Sequence, residues 1–326
     1  MKKDLLGLEE TSTEEIKFYL DTAETFKEIL SRPIKKVPTL RGKTIVTLFY
    51  EPSTRTRMSF ELAGKRMGAD LSNISVSGSS IEKGESLKDT VRTIEAMGID
   101  MIIIRHGKAG APHLAAKTIK ASVVNAGDGA HEHPTQGLLD LFTIQEKKRR
   151  IDGLNILIIG DIAHSRVARS DIWGITKMGG RVTVCGPPTL IPVEIEKMGV
   201  DISYSLDSIL PQADVIYILR LQLERQKKGL FPSIQEYIDY YAITKERLAR
   251  AKSDVLIMHP GPMNIGLEIT EDVATSSHSV IEEQVLNGVA VRMAVLNYLL
   301  EEHSPLKTGN LFSKDLVSTA PMRRSE

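Results

Sequence analysis

The chain has 326 residues, a length that predicts two domains. Its 42 Lys and Arg residues balance 42 Asp and Glu residues, so the chain as a whole carries no net charge that would favour binding to nucleic acid or to an anionic membrane. The single cysteine, Cys185, excludes an internal disulfide and a cysteine-based zinc site and is typical of the reducing cytoplasm. Apolar runs of strand length, an N-terminus without a signal-like segment and no stretch near the roughly 18 residues of a membrane span predict a soluble cytoplasmic protein.

The first half of the chain alternates helical and strand-like segments. Apolar residues recur at helical spacing over residues 12–30. Segments rich in β-branched and apolar residues predict strands at 44–50, 71–76, 100–104 and 122–125. A helix is predicted over 134–148, because Pro134 suits its first turn and Leu138, Leu141 and Phe142 share one face. It ends in a basic run, which is typical of a solvated helix end near a linker.

A second alternation begins at residue 154. Strands are predicted at 155–159, 181–185, 214–219 and 254–258. A helical pattern over 280–300 is expected to pack back across the domain boundary, and the tail, 303–326, carries no predicted structure. The fold class is therefore α/β, with two doubly wound parallel-sheet domains joined by interdomain helices. The predicted domains are 1–148, joined by the returning helix at about 284–302, and 149–283.

Polar side chains follow six of the predicted strands at the point where each strand ends. They are Glu51 to Arg57, Arg105, His133 with Gln136, Arg166, Arg220 with Gln222, and residues 259–262. In parallel α/β sheets, ligands bind at the carboxyl ends of the strands. We therefore predict a cleft between two domains that receives an anionic ligand from both sides.

Residues 52–57 predict a helix N-terminus that binds a phosphate group. Pro52 and Ser53 supply a turn and a capping hydroxyl, and the free backbone N–H groups and helix dipole favour an anion. Arg55 adds a planar fork that matches phosphate oxygens. A surface arginine on a capped helix is the simpler interpretation of one residue, but two arginines and three hydroxyls within residues 53–57 favour the phosphate site.

Other kinds of site are less well supported. The sequence has no Gly-x-x-x-x-Gly-Lys-Ser/Thr motif, and residues 160–165 read Gly-Asp-Ile-Ala-His-Ser where a dinucleotide site has Gly-x-Gly-x-x-Gly. His131 and His133 could form a metal pair, but no third ligand is apparent and Pro134 directs His133 to a helix start. No metal site is predicted, and no Ser–His–Asp nucleophile motif stands out.

Four motifs, in order along the chain, resemble the aspartate and ornithine carbamoyltransferases. Residues 49–56, Phe-Tyr-Glu-Pro-Ser-Thr-Arg-Thr, and 133–136, His-Pro-Thr-Gln, are similar to signatures of both branches. Residues 79–86, Ser-Ser-Ile-Glu-Lys-Gly-Glu-Ser, and 259–262, His-Pro-Gly-Pro, resemble the aspartate branch, whereas ornithine enzymes usually carry His-Cys-Leu-Pro. The resemblance runs from about residue 5 to about residue 300.

This resemblance implies that the first domain binds carbamoyl phosphate and the second binds L-aspartate, in an early step of de novo pyrimidine biosynthesis. The residues implied for the phosphate are Ser53, Thr54, Arg55 and Thr56, helped by Arg105. Those implied for the carbamoyl group are His133, Gln136 and the carbonyls of Gly261 and Pro262. Those implied for aspartate are Lys83, Arg166, Arg220 and Gln222. In the family, a loop with Ser79 and Lys83 enters the neighbouring subunit's site, which implies a homotrimer.

The implied reaction is direct attack of the aspartate amine on the carbamoyl carbon, without a metal or cofactor. Thr56, Arg105 and His133 are the predicted stabilisers of the oxyanion, and one such donor is typically worth about 2.7–4 kcal/mol. Closure of the two domains is expected to exclude water.

The resemblance also bears on two residues outside these three sets. Glu51 is expected to bridge to Arg166 and Arg225 across the cleft, although an exposed loop carboxylate remains an alternative. Ile265 stands where relatives often carry arginine, which leaves the ion pair of that arginine in question.

Three other functions remain open from the sequence. They are a carbamoyltransferase for another amine acceptor, a nicotinamide-dependent oxidoreductase and a non-catalytic scaffold of a larger pyrimidine complex. Two aspartate carboxylates match the cations of Lys83, Arg166 and Arg220, whereas ornithine would require an acidic pocket. The sequence leaves open a regulatory chain or a dihydroorotase partner, and predicts no nucleic-acid or membrane partner.

Overall fold

The computed structural model describes residues 3–75, 85–222 and 233–300, which form two parallel β-sheets. The first sheet has the order β2-β1-β3-β4, and its strands are β1 Thr44–Phe49, β2 Asp70–Ser75, β3 Met101–His106 and β4 Ser122–Asp128. The second has the order β7-β6-β5-β8-β9, and its strands are β5 Asn155–Ile159, β6 Arg181–Cys185, β7 Asp201–Ser203, β8 Val215–Ile218 and β9 Leu256–Met258.

Helices connect the strands and cover both faces of each sheet. In chain order they are α1 Thr13–Ser31, α2 Thr54–Arg66, α3 Leu87–Glu95, α4 Ala111–Thr118, α5 Pro134–Lys148, α6 Arg166–Lys177, α7 Leu206–Ile209, α8 Ile234–Tyr241, α9 Lys245–Leu248, α10 Glu271–Ala274 and α11 Ile281–Leu300. Among the helices of the described ranges, none combines the length and apolar character needed to cross a bilayer. The predicted fold class, two doubly wound α/β sheets, is confirmed.

Successive side chains along each strand are buried on opposite faces, because helices cover both faces of each sheet. In β3, Ile103 packs with the side of the core that contains α1, α5 and α11, whereas Ile102 and Ile104 pack with α3 and α4. In β5, Ile158 and Leu157 likewise belong to clusters on opposite faces. Strands buried on both faces read as continuous apolar runs, which is why the sequence showed them clearly.

The order of strands reverses beside β1 in the first sheet and beside β5 in the second. β1 lies between β2 and β3, and β5 lies between β6 and β8. At such a switch point the helices leave the sheet on opposite faces and open a crevice outside the carboxyl ends of the strands. The loops after β1, β3, β5 and β8 are therefore placed to form a site.

Helix α11 packs against α1, α2 and α5 and also contacts β9. From Asn287 to Asn297 its residues are buried on every side, whereas Val285 and Leu286 near its start are exposed. Residues of both sheets share one continuous core with α5 and α11. This packing agrees with the returning helix that the sequence predicts, while the domain boundary at residues 148 and 149 stays a prediction.

Most predicted elements lie close to the observed ones. The bounds of α5, β5 and β6 match the predicted segments, and β4 continues three residues beyond the predicted end at Asn125. Val76, the last residue of one predicted strand, lies outside the described residues. The sequence missed β7, a three-residue edge strand.

Candidate active site

A cleft of about 850 Å³ lies at the carboxyl ends of both sheets. It is lined by every predicted site residue that the structure describes: Ser53, Thr54, Arg55, Thr56, Arg105, His133, Gln136, Arg166, Arg220, Gln222, Gly261 and Pro262. Further lining residues that the sequence did not assign to the site include Ser59, Ser165, Gln284 and Arg292. Predicted residues Ser79, Lys83 and Arg225 lie outside the described ranges.

The N-terminus of α2 opens into this cleft. Ser53 is its N-cap residue, with extended backbone angles φ −160° and ψ 94°, and its carbonyl accepts from Arg57 N at 3.1 Å. The prediction that its hydroxyl caps the helix is wrong, because within the described chain that side chain makes no capping hydrogen bond. The first-turn N–H groups of α2 have no intrahelical partners, so they are available to an anion from the cleft.

Arg55, in this first turn, reaches across to the loop that follows β9. A Cβ built on Gly261 would approach Arg55 Cζ to 3.2 Å, and Gly261 itself has φ of +61°. Burial lowers the pKa of Arg55, and the nearby charge of Arg220 lowers it further. Two guanidinium groups therefore face the same space from opposite sheets, an arrangement that an anion between them would stabilise.

Glu51, Arg105 and Arg166 form a charged cluster across the two sheets. Arg166 Nη2 donates to Glu51 Oε2 at 2.6 Å, and Arg105 Nε lies 3.9 Å from the same oxygen. Gly127, at φ +112°, leaves room for both arginines, since a Cβ there would come within 2.8 Å of Arg166 Nη1 and 3.0 Å of Arg105 Nη1. Arg166 is buried, and its Nη1 has no hydrogen-bond partner within the described part of the chain.

His133 is held at the N-cap of α5 by its backbone, which leaves its imidazole in the cleft. The backbone N–H of His133 donates to Ser170 Oγ at 2.9 Å. Burial lowers the pKa of His133 well below its usual value, and the charges of Arg105, Arg292 and Arg166 act in the same direction. The imidazole is therefore neutral near pH 7 and can donate one hydrogen bond, but it is a weak base.

The neighbouring residues of His133 have structural tasks. The Glu132 carboxylate accepts from Leu8 N at 2.7 Å and from Ser170 Oγ at 2.7 Å, and His131 Nδ1 lies 3.1 Å from Asp128 Oδ2. His131 and His133 therefore do not converge on one point as a metal pair would.

Two groups of potential metal ligands lie around His131. Ligand atoms of His113, Asp128 and His131 fall within 4.8 Å of one another, and so do those of Glu9, His131 and Glu132. The Asp128 carboxylate already accepts from Gly110 N at 2.7 Å and from Asn125 Nδ2 at 2.9 Å. The carboxylates of Asp128 and Glu132 are therefore already used in hydrogen bonds that fix the loop between β4 and α5.

The loop after β9 is fixed by a buried histidine. Gly261 N donates to His259 Nδ1 at 2.8 Å, so the proton of the neutral ring is on Nε2, which lies 3.2 Å from Glu268 Oε1. Burial lowers the pKa of His259, and Glu268 opposes that shift. Ile265, farther along this loop, is 50% exposed, so the position where relatives often carry arginine lies at the surface here.

The loops after β5 and β8 supply the remaining polar groups. Gln222 Nε2 donates to the carbonyl of His164 at 3.2 Å, and His164 Nδ1 lies 2.8 Å from Asp161 Oδ1. Arg166 begins α6, whose N-cap Ser165 accepts from Ala168 N at 3.1 Å. These contacts hold Arg166 and Gln222 on the wall opposite α2.

Arg292 is a buried cation of the cleft that sequence reasoning missed. Its Nη1 donates to Ser59 Oγ at 2.9 Å, and its guanidinium carbon lies 5.0 Å from the centre of the Phe60 ring. Burial lowers its pKa to about 10, opposed by the charge of Asp140. An arginine within the apolar run 289–296 is the signal in the sequence that could have identified it.

Two family models match the chain. One, described as the carbamoyl-P binding domain of aspartate/ornithine carbamoyltransferase, matches residues 3–146, and the other, described as the Asp/Orn binding domain, matches residues 152–299. The chain is also 62% identical over 298 residues to the aspartate carbamoyltransferase catalytic subunit of Heliobacterium modesticaldum, covering 91% of this chain and 95% of that protein.

Solved structures from both branches are similar to this one. Aspartate transcarbamoylase from Trypanosoma cruzi, in complex with carbamoyl phosphate and aspartate, matches with a TM-score of 0.81 and 30% identity, covering 92% of this chain and 96% of that chain. Ornithine carbamoyltransferase from Pyrococcus furiosus matches with a TM-score of 0.80 and 30% identity, covering 90% and 96% respectively. The fold is therefore common to both branches.

Proposed function

Because the chain belongs to the aspartate/ornithine carbamoyltransferase family, we propose that its cleft transfers the carbamoyl group of carbamoyl phosphate to the amine of L-aspartate, giving N-carbamoyl-L-aspartate and phosphate. The observation that carries this proposal is the meeting of the α2 N-terminus with guanidinium groups from both sheets in one cleft. The product places the reaction early in de novo pyrimidine biosynthesis.

Charge supports aspartate as the acceptor. Glu51 is the one carboxylate among the described lining residues, and it is already paired with Arg166. The side-chain ammonium of ornithine would lack a partner there, whereas the two carboxylates of aspartate match Arg166 and Arg220. The relative at 62% identity is named for aspartate.

The predicted site residues divide into three groups by the part of the substrates that they bind. Ser53, Thr54, Arg55 and Thr56, with Arg105, bind the phosphate. The backbone carbonyls of Gly261 and Pro262 accept hydrogen bonds from the N–H₂ of the carbamoyl group, and Gln136 contacts the same N–H₂. Arg166, Arg220 and Gln222 bind aspartate, together with Lys83.

The proposed reaction needs no protein nucleophile. The aspartate nitrogen forms a bond to the carbamoyl carbon, the C–O bond to phosphate breaks, and the amine proton leaves with the phosphate. Holding two mutually repelling anions side by side removes much of the entropic barrier. Thr56, Arg105 and neutral His133 stabilise the developing oxyanion.

The decisive assay offers carbamoyl phosphate with either aspartate or ornithine and measures release of phosphate. We expect turnover with aspartate and none above background with ornithine. Turnover with ornithine alone, or with neither amine, would contradict the proposal. The nicotinamide-dependent alternative has no support in the loop after β5, where residues 160–165 lack the glycine pattern of a dinucleotide site and Arg166 lines the cleft.

Glu51→Ala is expected to raise the KM for aspartate about tenfold, as for loss of a hydrogen bond to a charged group, while carbamoyl-phosphate affinity stays nearly unchanged. The reason is that Glu51 orients Arg166 through the 2.6 Å bond between them. Initial rates over a range of each substrate measure both effects.

Glu61→Ala is the matched control, because Glu61 pairs with Lys65 on the exposed side of α2 and surface pairs contribute little. It should behave as the unmodified enzyme. An unchanged KM for aspartate in Glu51→Ala would contradict the role of Glu51 in orienting Arg166. Arg225, the second predicted partner of Glu51, lies outside the described residues.

As part of the same proposal, the enzyme is a cytoplasmic homotrimer in which Ser79 and Lys83 of each subunit complete a neighbour's site. The resemblance of residues 79–86 to the aspartate branch supports this. Sedimentation of the purified chain tests the trimer, and a monomer that is fully active would contradict it. Assembly with a regulatory chain or a dihydroorotase is compatible with this arrangement.

A further inference from the structure

Asp140, on α5 beneath the floor of the cleft, is a buried carboxylate that accepts from three side chains. It is 1% exposed. Gln284 Nε2 donates to Oδ1 at 2.6 Å, and Tyr217 OH donates to Oδ2 at 2.8 Å. Gln136 Nε2 lies 3.2 Å from Oδ1 and 3.1 Å from Oδ2. All three partners donate to Asp140, and the two acceptor oxygens of a carboxylate satisfy them together.

Each donor belongs to a different wall of the cleft. Gln136 lies in the first turn of α5 and lines the cleft directly. Gln284 lies on α11 and uses its Oε1 to accept from His259 N at 3.0 Å, which anchors the loop of residues 259–262. Tyr217 lies on β8, three residues before Arg220. One carboxylate therefore links α5, α11 and β8.

The carboxylate also determines which way two amides face. Because a carboxylate only accepts, it requires Nε2 of both glutamines on its own side. The Oε1 atom of Gln136 then points away from Asp140, where it can accept from the N–H₂ of a carbamoyl group. The Oε1 atom of Gln284 is likewise left to accept from His259.

The charges around Asp140 favour its ionised form over that of its buried neighbour. Burial raises the pKa of Asp140 to about 7, opposed by the hydrogen bonds from Tyr217, Gln284 and Gln136. Burial raises the pKa of Asp171 well above its usual value, and the charge of Asp140 adds to that rise. Asp171 therefore keeps its proton.

We propose that Asp140 is a positioning residue for carbamoyl transfer, which sets the amide orientation of Gln136 and, through Gln284, the place of the loop 259–262 that faces the carbamoyl group. It touches neither substrate. The inference rests on the proposed function, and it adds a residue and a specific task to it. The phosphate-binding turn of α2 has no described hydrogen bond to Asp140, so that task concerns the carbamoyl group alone.

Asp140→Asn tests this separation. Asparagine offers one acceptor oxygen and an N–H₂ in place of two acceptor oxygens, so the amide of Gln136, which lies against both oxygens, is no longer held with its N–H₂ away from the cleft. A Gln136 amide that turns over would place its N–H₂ against the carbamoyl N–H₂. We expect the KM for carbamoyl phosphate to rise about tenfold and kcat to fall about tenfold, as for loss of a hydrogen bond to a charged group. The inhibition constant of inorganic phosphate, which has no carbamoyl group, should stay within about twofold of the original value.

Asp171→Asn is the matched control, because asparagine there replaces a neutral carboxylic acid of the same shape. Its kinetic constants should resemble those of the unmodified enzyme. If Asp140→Asn does not fold, Gln284→Met breaks the link to the loop while leaving Asp140 and Gln136 in place. It should show the same rise for carbamoyl phosphate with unchanged phosphate inhibition.

The outcomes separate this inference from the proposed function. Equal weakening of carbamoyl phosphate and inorganic phosphate would reveal a general disturbance of the cleft and overturn the inference. So would unchanged constants in a folded variant. An unmodified enzyme that does not carbamoylate aspartate would instead overturn the proposed function, before any variant is compared.

Discussion

Arg55→Ala is expected to lower kcat/KM for carbamoyl phosphate about 10²–10³-fold, the range measured when one donor is removed from a preorganised anion site. Arg55 lies in the first turn of α2, where its guanidinium adds charge-assisted bonds to those of the backbone N–H groups. It also packs against Gly261, so its loss opens the contact between the two sheets. Phosphate release over a range of carbamoyl phosphate concentrations measures the effect.

The control for this variant is on the same helix. Arg57, two residues later, is exposed and does not line the cleft, so Arg57→Ala should stay within about twofold of the unmodified enzyme, as surface substitutions usually do. Losses of similar size in both variants would show that the general positive charge of α2 matters, and that Arg55 has no special role.

His133→Ala is expected to lower kcat about 10²–10³-fold with a much smaller change in the KM for aspartate, because the lost hydrogen bond strengthens only as the oxyanion forms. The pKa of His133 is well below its usual value, so the ring is already neutral above pH 6.5. The pH dependence of kcat above that pH should therefore have the same shape in the variant and the unmodified enzyme.

His131→Ala provides the comparison, since His131 contacts Asp128 and does not line the cleft. We expect it to retain activity within about threefold. A step in the pH profile near 6.5 that disappears only in His133→Ala would contradict the neutral-donor role and assign His133 as a titrating base.

The sequence predicted the parts of the site that parallel topology arranges. Arg105 lies at the carboxyl end of β3, and Arg166 and Arg220 come after β5 and β8. Strands of a parallel sheet end at one edge, so the sequence alone predicts that these residues meet. The bounds of β5 and β6 were equally accessible, because their β-branched runs end in glycine or a turn. Short β7 was not, since two of its three residues are polar and it pairs on one side only.

The groups beneath the cleft were beyond sequence reasoning for a different reason. Asp140 interrupts an apolar helix face, but its meaning depends on Gln284 and Tyr217, which lie 144 and 77 residues away. The cap of α2 failed on geometry as well. Ser53 occupies the cap position, yet its hydroxyl makes no capping hydrogen bond in the described chain. Lys83 and Arg225 stay predictions.

Because α11 packs against α1, α2 and α5, its late place in the chain decides when the cleft can assemble during synthesis. Helix α2, which presents the phosphate-binding turn, is held against α11 partly by the bond from Arg292 to Ser59. A nascent chain on the ribosome exposes α1, α2 and α5 long before residues 281–300 emerge. The catalytic cleft can therefore assemble only after residues 281–300 have been synthesised, long after its first motif, residues 49–56.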